Sequence, residues 1–159
     1  FNMRKIQFLV AGAAALAISL PSATARATPP SDVTIVADTT IGPDGGSGPF
    51  MADGPAVTEG LFCPSGFSLD VGGKAAGFQS GRGVNFQIFK VFFCDDESGA
   101  IIMKLQVRID QKGNNYSWNV VEGFGAYEDL HGTGQGFGIS PPEDPNQITD
   151  TFTGKMHVD

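Results

Sequence analysis

Charge is scarce in this chain. Only 17% of its 159 residues are charged, with ten Lys and Arg against 17 Asp and Glu, a formal net of −7. So few bases exclude the clustered cations that a nucleic-acid surface needs. Two Cys and two His, widely separated along the sequence, lack the paired spacing of a zinc ligand set. No apolar run reaches the ~20 residues of a membrane-spanning helix, and no stretch repeats apolar residues at the three-and-four spacing of an amphipathic helix. Glycine is plentiful instead. Its 22 residues are about twice the usual share of roughly 7%, which argues against a helical bundle because Gly weakens helix interiors. A length of this order fits one domain, or one domain with a processed segment.

The apolar segment Ile6 to Leu20, which carries no charge, follows Met3-Arg4-Lys5 and precedes Ala23-Thr24-Ala25-Arg26-Ala27. A basic start, a short apolar centre and small-residue A-x-A sites form a secretory signal peptide. Both A-x-A sites fit, and cleavage after Ala27 is favoured. Residues 1–27 are therefore expected to be a leader, with Phe1-Asn2 an upstream scar and no stable membrane anchor. Residues 28–159 form the working domain of a secreted or periplasmic protein. The leader carries Arg4, Lys5 and Arg26 and no acid, so seven bases face 17 acids in the remainder, a net of −10.

Cys63 and Cys94 both fall in that remainder. An even count behind a leader reads as one disulfide. It would close a loop of about 30 residues, for on the order of 3 kcal/mol in the chain-entropy picture. No C-x-x-C redox pair is present.

The remainder reads as consecutive strands. Val33-Thr34-Ile35-Val36-Ala37 is β-branched, and Gly42 to Gly54 is a Gly- and Pro-rich loop or broken edge segment. Val57 to Phe62 and Gly66 to Val71 are short strand candidates. Gly72 to Gly83 is a loop or a bulged strand. In Val84 to Cys94, Phe86, Ile88 and Phe92 alternate with Asn85, Gln87, Phe89, Val91 and Phe93. After the acidic turn Asp95 to Gly99, Ile101, Met103, Leu105, Val107 and Ile109 alternate with Lys104, Gln106, Arg108 and Asp110. That is the period-two pattern of a half-buried antiparallel strand. Tyr116 to Glu122, the Gly-alternating His131 to Ile139 and Gln147 to Val158 complete the series. Strands in succession with no helix predict an all-β antiparallel barrel of about eight strands, since closure removes exposed edges.

Gly123-Phe124-Gly125-Ala126-Tyr127-Glu128-Asp129-Leu130-His131-Gly132-Thr133-Gly134 has the form G-x-G-x-Y-x-x-L-x-G-x-G, after a Trp-bearing strand and before Asp150-Thr151-Phe152-Thr153-Gly154. This segment resembles the signature of the allene oxide cyclase barrel-like and dirigent-like superfamily, and Cys94 with Asp96-Glu97-Ser98-Gly99 is similar to bacterial secreted members. The resemblance spans roughly Phe62 to Val158. It implies a small β-barrel whose glycine turn tucks an aromatic residue under the barrel. Members of that superfamily include cyclases with an apolar cavity, proteins that guide radical coupling, and bacterial proteins with no known activity, so the resemblance leaves enzyme status open. No catalytic position is carried over from the family. The segment is not a dinucleotide fingerprint, which needs a third Gly at the right spacing and a following helix.

The candidates for chemistry are modest. His131 and His157 lack a companion G-x-S-x-G or H-E-x-x-H motif and read as surface or turn residues. Asp95-Asp96-Glu97 lacks the regular oxygen-ligand spacing of a calcium loop and reads as a solvated hairpin tip. No cofactor or metal is expected. The aromatic residues are mostly core, with a pocket subset. Phe86, Phe92, Arg108, Trp118 and Tyr127 are the pocket candidates, Arg108 needing a carboxylate or anionic ligand if it points inward. The expected function is to hold a small apolar molecule in a cavity of several hundred cubic ångströms, with cyclase or isomerase chemistry as one form of it. The alternative is a non-enzymatic structural or carbohydrate-binding module, with Tyr116 and Trp118 as an exposed stacking platform.

Overall fold

The computed structural model describes residues 29–78, 84–110 and 113–159; the leader expected over 1–27 lies outside the described residues. Eight antiparallel strands run in chain order around a closed barrel. They are β1 (Ser31–Gly42), β2 (Gly45–Asp53), β3 (Ser65–Phe78), β4 (Val84–Cys94), β5 (Gly99–Asp110), β6 (Gly113–Gly125), β7 (Leu130–Ile139) and β8 (Gln147–Val158). The ring closes where β1 pairs with β8, from Ser31 opposite Met156 to Thr40 opposite Gln147. Polar side chains knit the outside of that seam: Lys155 to Asp32 at 2.7 Å and Thr149 to Asp38 at 2.9 Å. Among the described residues no helix is long and apolar enough to cross a membrane.

Two local expectations are corrected. Gly45–Asp53 is a strand, not a loop, because β1 and β3 pair with it on both sides and Phe50 anchors it in the core, only 2% exposed. Neighbouring strands here override weak local propensity. Val57 to Phe62 is not a strand. Pro55–Thr58 forms a single helical turn, α1, with Pro in its first turn, where the missing N–H costs nothing. The N–H groups of Leu61 and Phe62 then both bond to Ala56 O.

Inward positions alternate along the strands, apart from register shifts in the β3–β4 and β5–β6 pairs, and they divide the interior into two halves. The half near α1 is solid: Ile35, Phe50, Phe92, Ile101, Met103, Phe152 and Met156 are fully or almost fully buried, with edge-on ring contacts of Phe92 to Phe50 and Phe152. The end beyond is sealed by Phe62, by the Cys63–Cys94 disulfide and by Tyr127. Gly125 turns the chain at φ +66°, and a Cβ at Gly123 would stand 1.7 Å from Tyr127 O. That turn folds Tyr127 under the barrel, against Phe62, with its hydroxyl 2.7 Å from Ser98 Oγ.

The hairpin between β4 and β5 carries the acidic tip. Asp96 accepts the Ser98 N–H at 3.0 Å, and hydrogen bonds from the Ser98 side chain and backbone hold its carboxyl below the usual range.

Candidate functional site

The other half of the interior is neither solid nor wholly apolar. On β4 the inward positions are 86, 88, 90, 92 and 94, so Lys90 points into the barrel, 2% exposed. The same alternation turns Asp70 of β3, Thr39 of β1 and Asp150 of β8 inward. Lys90 Nζ lies 2.9 Å from Asp70 Oδ1, 3.7 Å from Asp150 Oδ2 and 3.3 Å from Thr39 Oγ1. The Thr39 hydroxyl passes its own hydrogen to Asp150 Oδ2 at 2.9 Å. Gly46 N–H donates to Asp70 Oδ2 at 3.0 Å, and Tyr116 donates to Asp150 Oδ1. The contact of Lys90 with Asp70 Oδ1 is an ion pair, out of line for a hydrogen bond, so that oxygen has no aligned donor.

Burial first, then the Asp150 charge and the hydrogen bond to it, and lastly Asp70, raise the Tyr116 phenol far above its ordinary value of 10. Tyr116 is therefore a neutral donor, fixed on a carboxylate, and not a base.

These five side chains floor a cavity of about 150 Å³. Its lining residues lie toward the end of the barrel opposite the disulfide. Its walls are Ile41, Phe86, Ile88, Leu105, Val107, Ile109 and Ile148, with the Asn114 carboxamide as a further polar lining group. The cavity is smaller than the several hundred cubic ångströms expected. It is still enough for a benzene-sized guest, which an apolar hole of roughly 150 Å³ accepts.

The glycine-alternating strand explains how the rings fit. On β7 the inward positions after Leu130 are Gly132, Gly134, Gly136 and Gly138. A Cβ at Gly134 would come within 2.6 Å of the Trp118 ring, and one at Gly136 within 2.7 Å of the Tyr116 ring. This smooth wall lets Trp118 and Tyr116 lie across the interior. Trp118 Nε1 then reaches Gln135 O at 3.1 Å and Thr153 O at 3.2 Å.

Of the candidates read from sequence, Phe86 lines the cavity. Phe92 and Trp118 lie deeper, in the packed core. Tyr127 sits at the sealed end. Arg108 is corrected outright: it stands on the outer face of β5, its side chain 62% exposed and paired with Asp110 at 3.0 Å. Its alternation with Val107 and Ile109, which line the cavity, puts it outside. The stacking platform is corrected as well, because Tyr116 and Trp118 are 8% and 3% exposed. His131 and His157 are cross-strand neighbours with stacked rings 5.4 Å apart, near the Asp159 carboxylate and away from the cavity.

Lys90, Asp70, Asp150 and Thr39 were missed. The signal was present, since Lys90 shares the parity of Phe86, Ile88 and Phe92, and Asp150 that of Ile148 and Phe152. Compared with known proteins, the chain matches no family model, no curated protein and no solved structure.

Proposed function

We propose that this protein is a secreted or periplasmic barrel that binds a small, largely apolar molecule in its open end, with the molecule's one polar group on the Lys90–Asp70–Asp150 floor. The single observation that carries the reading is an apolar-walled cavity ending on buried, mutually paired charges. A structural core has little reason to hold such a group. Replacing a buried ion pair by apolar residues is often neutral or stabilising, and apolar walls with a few convergent polar groups are the usual make-up of a ligand site. The Cys63–Cys94 disulfide is compatible with an oxidising compartment, which supports the location. The barrel with a glycine turn under it also supports kinship with the allene oxide cyclase and dirigent-like proteins.

The test is a plug at the mouth. Ile109 is 37% exposed at the rim, so Ile109→Trp should fill the entrance with little cost to folding. Benzene-sized ligands that bind the unaltered protein should lose at least ten-fold in affinity. Unchanged binding would place the ligand elsewhere.

A second reading, an isomerase or cyclase, rests on the same floor. An ammonium between two carboxylates sets an acid and two bases at the end of a pocket that shields them from water, where fixed charges act most strongly on a developing charge. Its check is conversion of small strained or enolisable compounds to isomers of unchanged mass, abolished by Lys90→Met in protein that still folds.

A further inference from the structure

We infer that the molecule held in the barrel mouth carries a cationic head, a protonated amine on a compact apolar body. The inference rests on the ligand-binding reading above and adds the chemical class. It follows from which hydrogen-bonding capacities of the floor are already used.

The donors already face acceptors of this floor. Lys90 donates to Thr39 and its ammonium lies between two carboxylates, 2.9 Å from Asp70 and 3.7 Å from Asp150. Thr39 donates to Asp150, and so does Tyr116. An incoming carboxylate or carbonyl would therefore have to compete with two carboxylates already facing Lys90.

The acceptors are not used up. A carboxylate offers about four lone-pair sites. Asp70 accepts Gly46 N–H at Oδ2, while its Oδ1 faces the Lys90 ammonium at 2.9 Å with no aligned hydrogen bond. Asp150 takes Tyr116 and Thr39, with Lys90 more distant. The floor can therefore receive further donors.

Charge points the same way. One ammonium and two carboxylates leave a formal charge of −1 at the end of a largely apolar cavity, where like charge is repelled and opposite charge drawn in. Asn114, the remaining polar lining group, has both a donor and an acceptor and so does not discriminate. The lining also includes the aromatic residue Phe86, a side-chain type compatible with a nearby cation. With about 150 Å³ available, the body is no larger than roughly one aromatic ring.

The experiment compares three probes of nearly equal shape, benzylamine, benzyl alcohol and benzoate. Each is titrated into the intact, disulfide-bonded chain at neutral pH and followed by calorimetry. Benzylamine should bind about ten-fold or more tighter than benzyl alcohol, the scale of one charge-assisted hydrogen bond, and benzoate should bind weakest. Asp150→Asn keeps the shape and removes one charge, and should bring the amine-to-alcohol ratio down several-fold. Benzyl alcohol or benzoate binding as tightly as the amine would overturn the cationic head and leave the ligand-binding reading standing. So would an unchanged ratio in a folded Asp150→Asn protein. If none of the three binds, the ligand site itself is refuted, and this inference with it.

Discussion

Tyr116 on β6 donates its phenolic hydrogen to Asp150 on β8, across the intervening strand β7. The bond can form over β7 because the inward residue at the crossing is Gly138. A Cβ there would stand 2.6 Å from the Tyr116 hydroxyl and 2.9 Å from Asp150 Oδ1. A strand with weak local propensity is thus what allows two functional side chains to meet. The glycine excess in the composition acquires a use at this position.

Gly138→Ala should therefore break a hydrogen bond it does not itself make. We expect a loss of about 1–3 kcal/mol, the range for leaving a buried polar group without its partner, read from denaturant midpoints. Tyr116→Phe should cost a similar amount. The double variant should cost clearly less than the sum, because both changes remove the same bond.

The raised Tyr116 phenol fixes the alkaline limb of stability. Below pH 10, the ordinary phenol value, Tyr116 is neutral whether folded or unfolded. Above it the unfolded chain releases the proton and the folded chain keeps it, so stability falls as pH rises past 10. The chain has two tyrosines. Tyrosinate absorbance should show one of them ionising only as the protein unfolds, while Tyr116→Phe abolishes that coupling.

Lys90 balances two carboxylates, so its loss should be felt more than that of any surface cation. Lys90→Met should destabilise by about 3–5 kcal/mol, as expected when one member of a buried ion network is removed. Adding Asp70→Asn and Asp150→Asn should recover part of it. Arg108→Ala, on the outer face, should stay within about 0.5 kcal/mol and leave ligand binding unchanged.

The architecture was largely legible in the sequence, and its floor was not. Ile101 to Ile109 alternate cleanly, and every other residue of that run faces in. The disulfide followed from a leader and an even cysteine count. Gly45–Asp53 escaped because its pairing partners, not its own residues, make it a strand. Arg108 is a pocket candidate only if its face is internal, and the opposite parity of Val107 and Ile109, which line the cavity, puts it outside. Lys90 is hard to read for the opposite reason: a single charge within an apolar parity class looks like an outer-face residue until register shows it buried. The approach of Asp70, Lys90, Asp150, Thr39 and Tyr116, from five different strands, depends on barrel closure and register, which no local pattern contains.

The staple has its own check. The described cysteines are paired, so the folded, non-reduced protein should present no reactive thiol. Replacing both by Ser should cost about 3 kcal/mol, and the effect should centre on the sealed end. Trp118 is the single tryptophan and packs near the middle of the barrel, so its emission should change little until global unfolding.

The most direct test of the central claim is methyl NMR of the Ile, Leu and Val side chains during titration with benzylamine. The account predicts saturable shifts at Ile88, Leu105, Val107, Ile109 and Ile148, which line the cavity, and little change at Ile35 or Ile101 in the solid half. Shifts confined to outer-face residues such as Val36 and Leu69, or none at millimolar ligand, would contradict it.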